Sequence, residues 1–208
     1  MLEAKCKKCK EAREKLFLKG EKCFSAKCPL VKSAYATKKT RQGQRRRSKI
    51  TTYGRQLREK QKVKRVYGMR EQQFRHCLEL ASSQKGSLPE MLAQSLESRF
   101  DSVIFRLGFA PSRSMARQLA SHGHFLLNGR RHNIASAILK KGDKITIRPQ
   151  SLKEVPFKDL GKKLKDYQCP SYLKLDLKNG EGTVLKKPDL ETLQLPFNFV
   201  SIVEFYSR

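Results

Sequence analysis

Residues Ser112–Ile134, SRSMARQLASHGHFLLNGRRHNI, combine two hydrophobic periods within one short stretch of the chain. The first part has helical spacing, and the Ser112 hydroxyl is suited to accept a backbone N–H at the helix start. From Phe125 the apolar period changes from about 3.6 to 2, which is typical of β-strands. Asn128-Gly129 tolerates the positive φ angles of a type I′ turn. The stretch therefore predicts a short helix followed by a β-hairpin.

The residues on either side of this stretch extend it into an α+β module. Ahead of it, an apolar run keeps helical spacing until Gly108, and its members are Leu92, Leu96, Phe100, Val103, Ile104 and Leu107. After it, Gly142-Asp143 predicts a turn and residues 145–147 a strand. Residues 149–188 are rich in loops, with weak strand candidates at 172–176 and 183–185. We predict helices packed on a short antiparallel sheet within residues 93–188, including a loop-rich extension.

The N-terminal half predicts helices after a basic arm. Residues 36–50 lack apolar periodicity, and an arm of this composition is expected to be poorly ordered without a partner. Helical spacing then continues to Gly68, which is a C-terminal stop. The segment Ser87–Glu90, SLPE, has the capping-box pattern of a further helix start. We therefore predict an all-helical nucleic-acid-binding domain over residues 41–92, and an α+β fold for the chain as a whole.

The charge of the chain favours a polyanionic partner. The 208 residues carry 46 Lys and Arg against 19 Asp and Glu, a formal net charge of +27. Residues 38–70 are the most basic part, since Glu59 is the only acid there. No apolar run reaches the roughly 18 residues of a membrane span, and the opening MLEAKCKKCK lacks the apolar core of a secretory signal. We therefore expect a nucleic acid as partner and no membrane association.

Four cysteines have the paired spacing of a structural metal site. Cys6 and Cys9 form a Cys-x2-Cys pair, and Cys23 and Cys28 form a Cys-x4-Cys pair. Four converging thiolates suit tetrahedral zinc, which would fold a segment with few apolar residues. An iron–sulfur cluster uses the same ligands, and four unrelated thiols or a disulfide redox pair stay open as alternatives. We predict a structural zinc knuckle, followed by the start of the basic arm, in residues 1–40.

Two groups of side chains form the predicted nucleic-acid surface. The first follows the arm into the first long helix and comprises Arg45, Arg46, Arg47, Lys49, Arg55, Arg58, Lys62, Lys64 and Arg65. The second lies in the α+β module, with Arg113 and Arg117 on the expected exposed side of a helix and His122, His124, Arg130 and Arg131 around the hairpin. Arg offers a planar fork for phosphate oxygens, and Lys a point charge. Neither histidine has a nucleophile or acid partner by spacing, so no enzyme activity is predicted.

Several motifs are ordered along the whole chain. Beside the stretch at 112–134 and the four cysteines, they are Leu18–Glu21, Leu57–Lys62, Glu97–Asp101, Arg106–Ala110 and Glu204–Arg208. This set resembles the family of the bacterial small ribosomal subunit protein four, in its cysteine-containing form. The stretch at 112–134 by itself resembles the small RNA-binding module named after that family. Because this module also occurs in enzymes, the resemblance rests on the motifs of the whole chain.

The resemblance implies a structural constituent of the small ribosomal subunit in the bacterial cytoplasm. It implies a primary rRNA-binding protein that binds the 5′ domain of 16S rRNA, nucleates assembly of the subunit and contributes to decoding accuracy. The implied neighbours are the third and fifth proteins of the subunit, and mRNA close to where it enters. The resemblance also implies that residues 189–208 end in a helix packed back on the helical domain, with the module inserted between them.

Two other functions use the same small module. An RNA-modifying enzyme such as a pseudouridine synthase would need a separate catalytic domain, and residues 149–208 are too short and loop-rich to provide one. A free-standing ribosome-rescue factor would need neither the cysteines nor the family-like ends of the chain. Stoichiometric recovery in washed small subunits would distinguish a core ribosomal protein from such a factor.

Overall fold

The N-terminal half of the protein is helical. The computed structural model describes residues 5–32, 50–164, 167–176, 180–189, 193 and 195–207. The first helices are α1 (Lys5–Ala12), α2 (Glu21–Phe24), α3 (Thr52–Tyr67), α4 (Glu71–Ser82) and α5 (Leu88–Glu97). The predicted basic arm at 36–50 lies almost entirely outside the described residues.

The second half combines helices with one sheet. The helices are α6 (Phe100–Arg106), α7 (Arg113–Ser121), a 3₁₀ helix (Pro149–Lys153), α8 (Leu160–Leu164) and α9 (Phe199–Tyr206). The strands are β1 (Phe125–Leu127), β2 (Arg130–His132), β3 (Lys144–Ile147), β4 (Leu173–Asp176) and β5 (Glu181–Val184). They pair antiparallel in the order β2-β1-β3-β5-β4, which confirms the predicted α+β class. Within the described ranges, no helix has both the length and the apolar run needed to cross a bilayer.

The local signals for the helix and hairpin of the module are confirmed. The Ser112 hydroxyl accepts a hydrogen bond from the Met115 amide at 3.4 Å, at the start of α7. Asn128 and Gly129 have φ angles of 50° and 79°, as a type I′ turn requires. This two-residue turn sets the register in which β1 pairs with β2.

One predicted helix cap is wrong in detail. α5 begins at Leu88, as the capping-box pattern indicated, but the Ser87 side chain makes no capping hydrogen bond. Pro89 occupies the first turn and has no amide hydrogen, so one of the amides that a cap usually binds is absent. The fixed φ of Pro89 favours the helical start of α5 instead.

Two hydrophobic cores meet where α5 is followed by α6. The helical core includes Val63, Phe74, Leu92 and Leu96, together with Phe199 and Ile202 from α9. The core of the module includes Phe100, Ile104, Leu107, Phe125, Ile145 and Tyr172. The division falls between Leu96 and Phe100, a few residues beyond the predicted boundary at 92/93. The difference arises because α5 packs against α4 and α9, so the whole of α5 belongs to the helical core.

The weak strand candidates after residue 149 belong to the same sheet as the hairpin. β5 pairs with β3 on one side and with β4 on the other. Leu173 and Val184 lie opposite each other and are buried, whereas Lys174 is exposed. This alternation is what a sheet with one covered face requires.

A glycine on β5 allows the sheet to approach α6 closely. A Cβ atom at Gly182 would lie 2.3 Å from Leu107 Cδ1, and Leu107 is fully buried. We expect Gly182→Ala to lower the free energy of unfolding by about 1–3 kcal/mol through overpacking, measured by urea unfolding. Gly161→Ala is the control, because no atom lies within 4 Å of the Cβ position there. Equal losses in the two variants would contradict the packing argument.

Candidate nucleic-acid interface

The exposed part of α3 carries two of the predicted arginines. Arg55 and Arg58 are exposed, and both line a groove of about 710 Å³ between the end of α1, α3 and α9. Gln56 is buried and donates to Glu204 at 2.9 Å, which joins α3 to α9. The structure therefore displays Arg55 and Arg58 beside a polar groove. The predicted contacts of the arm, Arg45, Arg46, Arg47 and Lys49, lie outside the described residues.

The other predicted basic residues of α3 form ion pairs. Lys62 pairs with Glu14 at 2.6 Å, Lys64 with Glu71 at 2.5 Å, and Arg65 with Glu11 at 2.5 Å. The three basic side chains are 13%, 13% and 22% exposed, so a phosphate would have to replace the acids to reach them. Their contact with RNA stays a prediction. In the free protein, Lys62 and Arg65 join residues 5–32, which we call the cysteine segment, to α3, and Lys64 joins α3 to α4.

Arg113 and Arg117 do not lie on an exposed helix face, and this part of the prediction is wrong. Arg113 donates to Glu97 at 2.6 Å, while Arg117 donates to Asp101 at 2.6 Å and to the carbonyl oxygen of Tyr67 at 2.8 Å. The two arginine side chains are only 15% and 31% exposed. Helical spacing shows which residues share a face, but it does not show what covers that face. Here the end of α3 covers the face of α7.

A cluster of acids and arginines lies between the two cores. Its members, which we call the acid–arginine cluster, are Glu97, Asp101, Arg99, Arg106, Arg113 and Arg117. Glu97 is fully buried and accepts hydrogen bonds from Arg106, from Arg113 and from the Tyr67 hydroxyl. Burial raises the pKa of Glu97, but the charges and hydrogen bonds of these partners outweigh burial and lower it to about 2. The carboxylate is therefore charged at neutral pH and is balanced by arginines.

Asp101 belongs to the same cluster from the first turn of α6. It is 3% exposed and accepts hydrogen bonds from Arg99 at 3.0 and 3.1 Å, and from Arg117. Arg117 also donates to the carbonyl oxygens of Tyr67 and Gly68, which end α3. Charge-assisted bonds of this kind are stronger than neutral ones. The cluster therefore fixes the position of the helical domain relative to the module.

Sequence reasoning missed this cluster, although the sequence contains a signal for it. Glu97 and Asp101 are spaced i,i+4 beside an apolar run, in a chain where acids are scarce. Arg113 and Arg117 have the same spacing on the following helix. Arg113 and Arg117 share one side of α7, because residues four apart lie on one side of a helix. Glu97 ends α5 and Asp101 lies in the first turn of α6, so the signal from the acids is that two of them next to an apolar run need cations beside them once they are buried.

The hairpin end of the module displays three of its four predicted residues. His122, Arg130 and Arg131 are exposed. Arg131 donates to the carbonyl oxygen of His122 at 3.4 Å, which brings the hairpin next to the end of α7. The His124 side chain is only 15% exposed and lies 3.0 Å from Ser151 of the 3₁₀ helix. The exposed basic surface of the module is therefore the hairpin, rather than the face of α7.

The four predicted ligand cysteines line one small cavity of about 20 Å³. All four are free thiols, and the Lys19 amide donates to Cys23 Sγ at 3.3 Å. Burial raises the pKa of the Cys9 thiol, and the three neighbouring thiols raise it further. As the side chains stand, no group of three His, Cys, Asp or Glu residues in the described part of the chain is arranged to hold a metal ion. Zinc therefore stays a prediction.

Known proteins resemble this chain over nearly its whole length. Residues 1–97 match the family described as Ribosomal protein S4/S9 N-terminal domain, and residues 98–145 match the family described as S4 domain. Small ribosomal subunit protein uS4 of Desulfitobacterium hafniense is 45% identical over 203 residues, covering 98% of this chain and 96% of that protein. The uS4 proteins of Natranaerobius thermophilus and Kosmotoga olearia are 43% and 42% identical, with the same coverage. The boundary between the two family matches coincides with the division between the two cores.

Proposed function

Because the chain belongs to the family of small ribosomal subunit protein uS4, we propose that it is an rRNA-binding structural constituent of the small ribosomal subunit. Similarity to uS4 proteins over 98% of the chain is the observation that carries this proposal. The net charge of +27 gives the protein a positive field that attracts phosphates, and four arginines that contribute to it are exposed, namely Arg55, Arg58, Arg130 and Arg131. Its relatives are ribosomal proteins, which supports a function without catalysis.

The finer role that we propose follows the family resemblance. The protein binds the 5′ domain of 16S rRNA, nucleates assembly of the subunit and contributes to decoding accuracy close to where mRNA enters. Its proposed neighbours in the bacterial ribosome are the third and fifth proteins of the subunit. The acid–arginine cluster supports this role because it holds α3 and the hairpin in one fixed arrangement. A junction of several RNA helices can then contact both surfaces at once, without the protein having to order itself first.

We also propose that Cys6, Cys9, Cys23 and Cys28 bind structural zinc, as the cysteine-containing form of the family would. Support comes from the four thiols around one cavity and from the amide that already donates to Cys23 Sγ. Bound zinc supplies folding energy to this segment without redox chemistry. An iron–sulfur cluster on the same four thiols is the second candidate.

Washed small subunits test the proposed role directly. A core ribosomal protein is expected at one copy per subunit after a wash with high salt. Recovery only in stalled particles, or at much less than one copy, would favour a ribosome-rescue factor instead. A modified rRNA nucleotide whose formation depends on this chain would favour the RNA-modifying enzyme.

Replacing the two exposed arginines of α3 is expected to weaken RNA binding in a salt-dependent way. Each lost phosphate contact lowers the slope of log affinity against log salt by about 0.7–0.9, so Arg55→Ala combined with Arg58→Ala lowers it by roughly 1.4–1.8. Binding to a 5′-domain transcript at several salt concentrations measures this slope. Arg75→Ala is the control, because Arg75 is 65% exposed on α4 and lies outside the predicted surface. An unchanged slope in the double variant would show that neither arginine contacts a phosphate.

A further inference from the structure

A cleft of about 540 Å³ lies between the cysteine segment and the rest of the protein. We call it the aromatic cleft, because its lining includes Phe17, Phe24, Tyr67, Phe105 and Phe197. These residues come from the cysteine segment, from α3, from α6 and from the chain just before α9. Sites for ligands of moderate size have volumes of about 300–1,000 Å³, and the aromatic cleft is within this range.

Phe17 and Phe24 form a stacked pair at the outer side of the aromatic cleft. Their ring centroids are 4.9 Å apart and their planes differ by 28°. Phe17 is 45% exposed and Phe24 is 75% exposed, which is unfavourable for two large apolar side chains. Phe17 also has a φ of 50°, a left-handed conformation that is costly for a bulky residue. An exposed ring on an unfavourable backbone conformation, as at Phe17, is a feature of ligand sites rather than of cores.

The lining of the aromatic cleft is strongly basic. Eight of its 22 residues are Lys or Arg, and Glu14 is the only acid among them. Five of the eight are paired with acids, namely Lys62, Arg65, Arg106, Arg113 and Arg117. Lys5, Lys8 and Lys15 form no ion pair with another residue in the described ranges. Lys5 donates to the Ser114 hydroxyl at 2.6 Å, and its ammonium group has two further hydrogens to donate.

We propose that the aromatic cleft binds one unpaired nucleotide of the rRNA, an inference that rests on the proposed rRNA-binding function. Its base stacks on the exposed ring of Phe24, and its phosphate lies among Lys5, Lys8 and Lys15. Aromatic side chains stack on any base, and a basic rim attracts the backbone that carries it. An acidic peptide would satisfy the lysines but would leave the flat pair of rings without a flat partner.

The inner part of the aromatic cleft is already filled by a planar group. The Arg113 guanidinium lies 4.7 Å from the ring centroid of Tyr67 and 4.6 Å from that of Phe105. Arg113 is held there by its ion pair with Glu97. The nucleotide therefore enters at the outer side, where Phe24 and the three lysines lie on the same segment of chain.

Substitution of Phe24 tests this proposal in the full-length, metal-loaded protein. Phe24→Ala is expected to lower the affinity for a 5′-domain transcript by about 5- to 150-fold, the usual effect of removing one ring that stacks on a base. Phe24→Tyr keeps the ring and is expected to keep the affinity. Val155→Ala is the control, because Val155 is 80% exposed and does not line the aromatic cleft. The metal content of each variant shows whether the cysteine segment is still folded.

Tryptophan at the same position gives a direct signal of stacking. The chain contains no tryptophan, so Phe24→Trp introduces a single indole. Its fluorescence is expected to be quenched when the transcript binds. One unpaired nucleotide of the transcript should also become protected from chemical modification by the wild type and by Phe24→Trp, but not by Phe24→Ala.

The outcomes separate the inference from the function on which it rests. Unchanged affinity of Phe24→Ala, or an equal loss in Phe24→Tyr, would overturn base stacking while leaving the rRNA-binding function intact. Unaltered rRNA affinity with lower recovery of a neighbouring protein in reconstituted subunits would assign the aromatic cleft to a peptide. Failure of the wild-type chain to bind the transcript would contradict the proposed function itself.

Discussion

Glu97→Gln is expected to lower the free energy of unfolding by about 3–5 kcal/mol, the usual cost of breaking a buried ion pair. The variant leaves Arg106 and Arg113 without the carboxylate that they share, and it weakens the acceptor of the Tyr67 hydroxyl. Such a loss is a large part of the roughly 5–15 kcal/mol by which folded proteins are stable. Urea unfolding followed by far-ultraviolet circular dichroism measures it.

Glu90→Gln is the matched control for this variant. Glu90 lies on the same helix, α5, but is exposed, so its substitution should change stability by less than about 0.5 kcal/mol. A similar loss in both variants would show that the charge of Glu97 is not what stabilises the two domains.

The pH dependence of stability gives a second check on Glu97. Its pKa in the folded protein is about 2, below the ordinary value of 4.5, so the cluster adds stability that is fully present above pH 4.5. This stability is lost as the pH falls towards 2, because the folded state then has to take up the proton. The difference in stability between the wild type and Glu97→Gln should therefore shrink over that range. A difference that stays constant would contradict the pKa.

Cys9→Ser is expected to abolish zinc binding and to unfold the cysteine segment. Cys9 is 8% exposed and lines one cavity with the other three cysteines. Structural zinc contributes about 10–16 kcal/mol in small peptide sites, and a serine hydroxyl does not replace a thiolate. Metal analysis of protein purified without chelator should find about one equivalent in the wild type and far less in the variant.

Cys77→Ser is the control, because Cys77 packs against the helical core and does not line the cavity. It should keep the metal. Limited proteolysis of Cys9→Ser should cut within residues 5–32, because the unfolded segment loses the ion pairs of Glu11 and Glu14 with α3. The helices and strands from α3 to α9 should resist cleavage, because they have their own hydrophobic cores. Much less than one equivalent of metal in the wild type would contradict the site. Visible absorption together with bound iron would indicate that the site holds an iron–sulfur cluster instead of zinc.

The elements that could be predicted from the sequence are those with local signals. Gly68 ends α3 with a φ of 61°, and Asn128-Gly129 forms the turn of the hairpin. Each of these signals acts within a few residues, so no knowledge of the tertiary structure is needed. The strands β4 and β5 are harder to predict, because each has four residues and only one buried side chain, Leu173 in β4 and Val184 in β5, which gives little pattern. The place of β5 in the sheet depends on pairing with β3, which lies far away in the sequence, and β4 is placed by its pairing with β5.

The roles of the charged residues could be predicted only in part. A net charge of +27 predicts a polyanionic partner, but it does not show which cations are exposed. Arg55 and Arg130 are exposed, whereas Arg113 is covered by the end of α3. Whether an arginine meets solvent depends on how two domains pack, and that packing is set by residues far apart in sequence. The few acids of the chain are the best guide to which arginines are covered, because a buried acid such as Glu97 requires cations beside it.

The helical core has a consequence for the order in which the chain folds during its own synthesis. Phe199 and Ile202 of α9 are 3% and 0% exposed, and α9 packs against α3 and α5. The residues of the module's core, from Phe100 to Leu193, are all synthesised before α9. The helical core therefore closes last, although most of its helices are synthesised first. The apolar face that these helices share is fully covered only once the whole module has been synthesised.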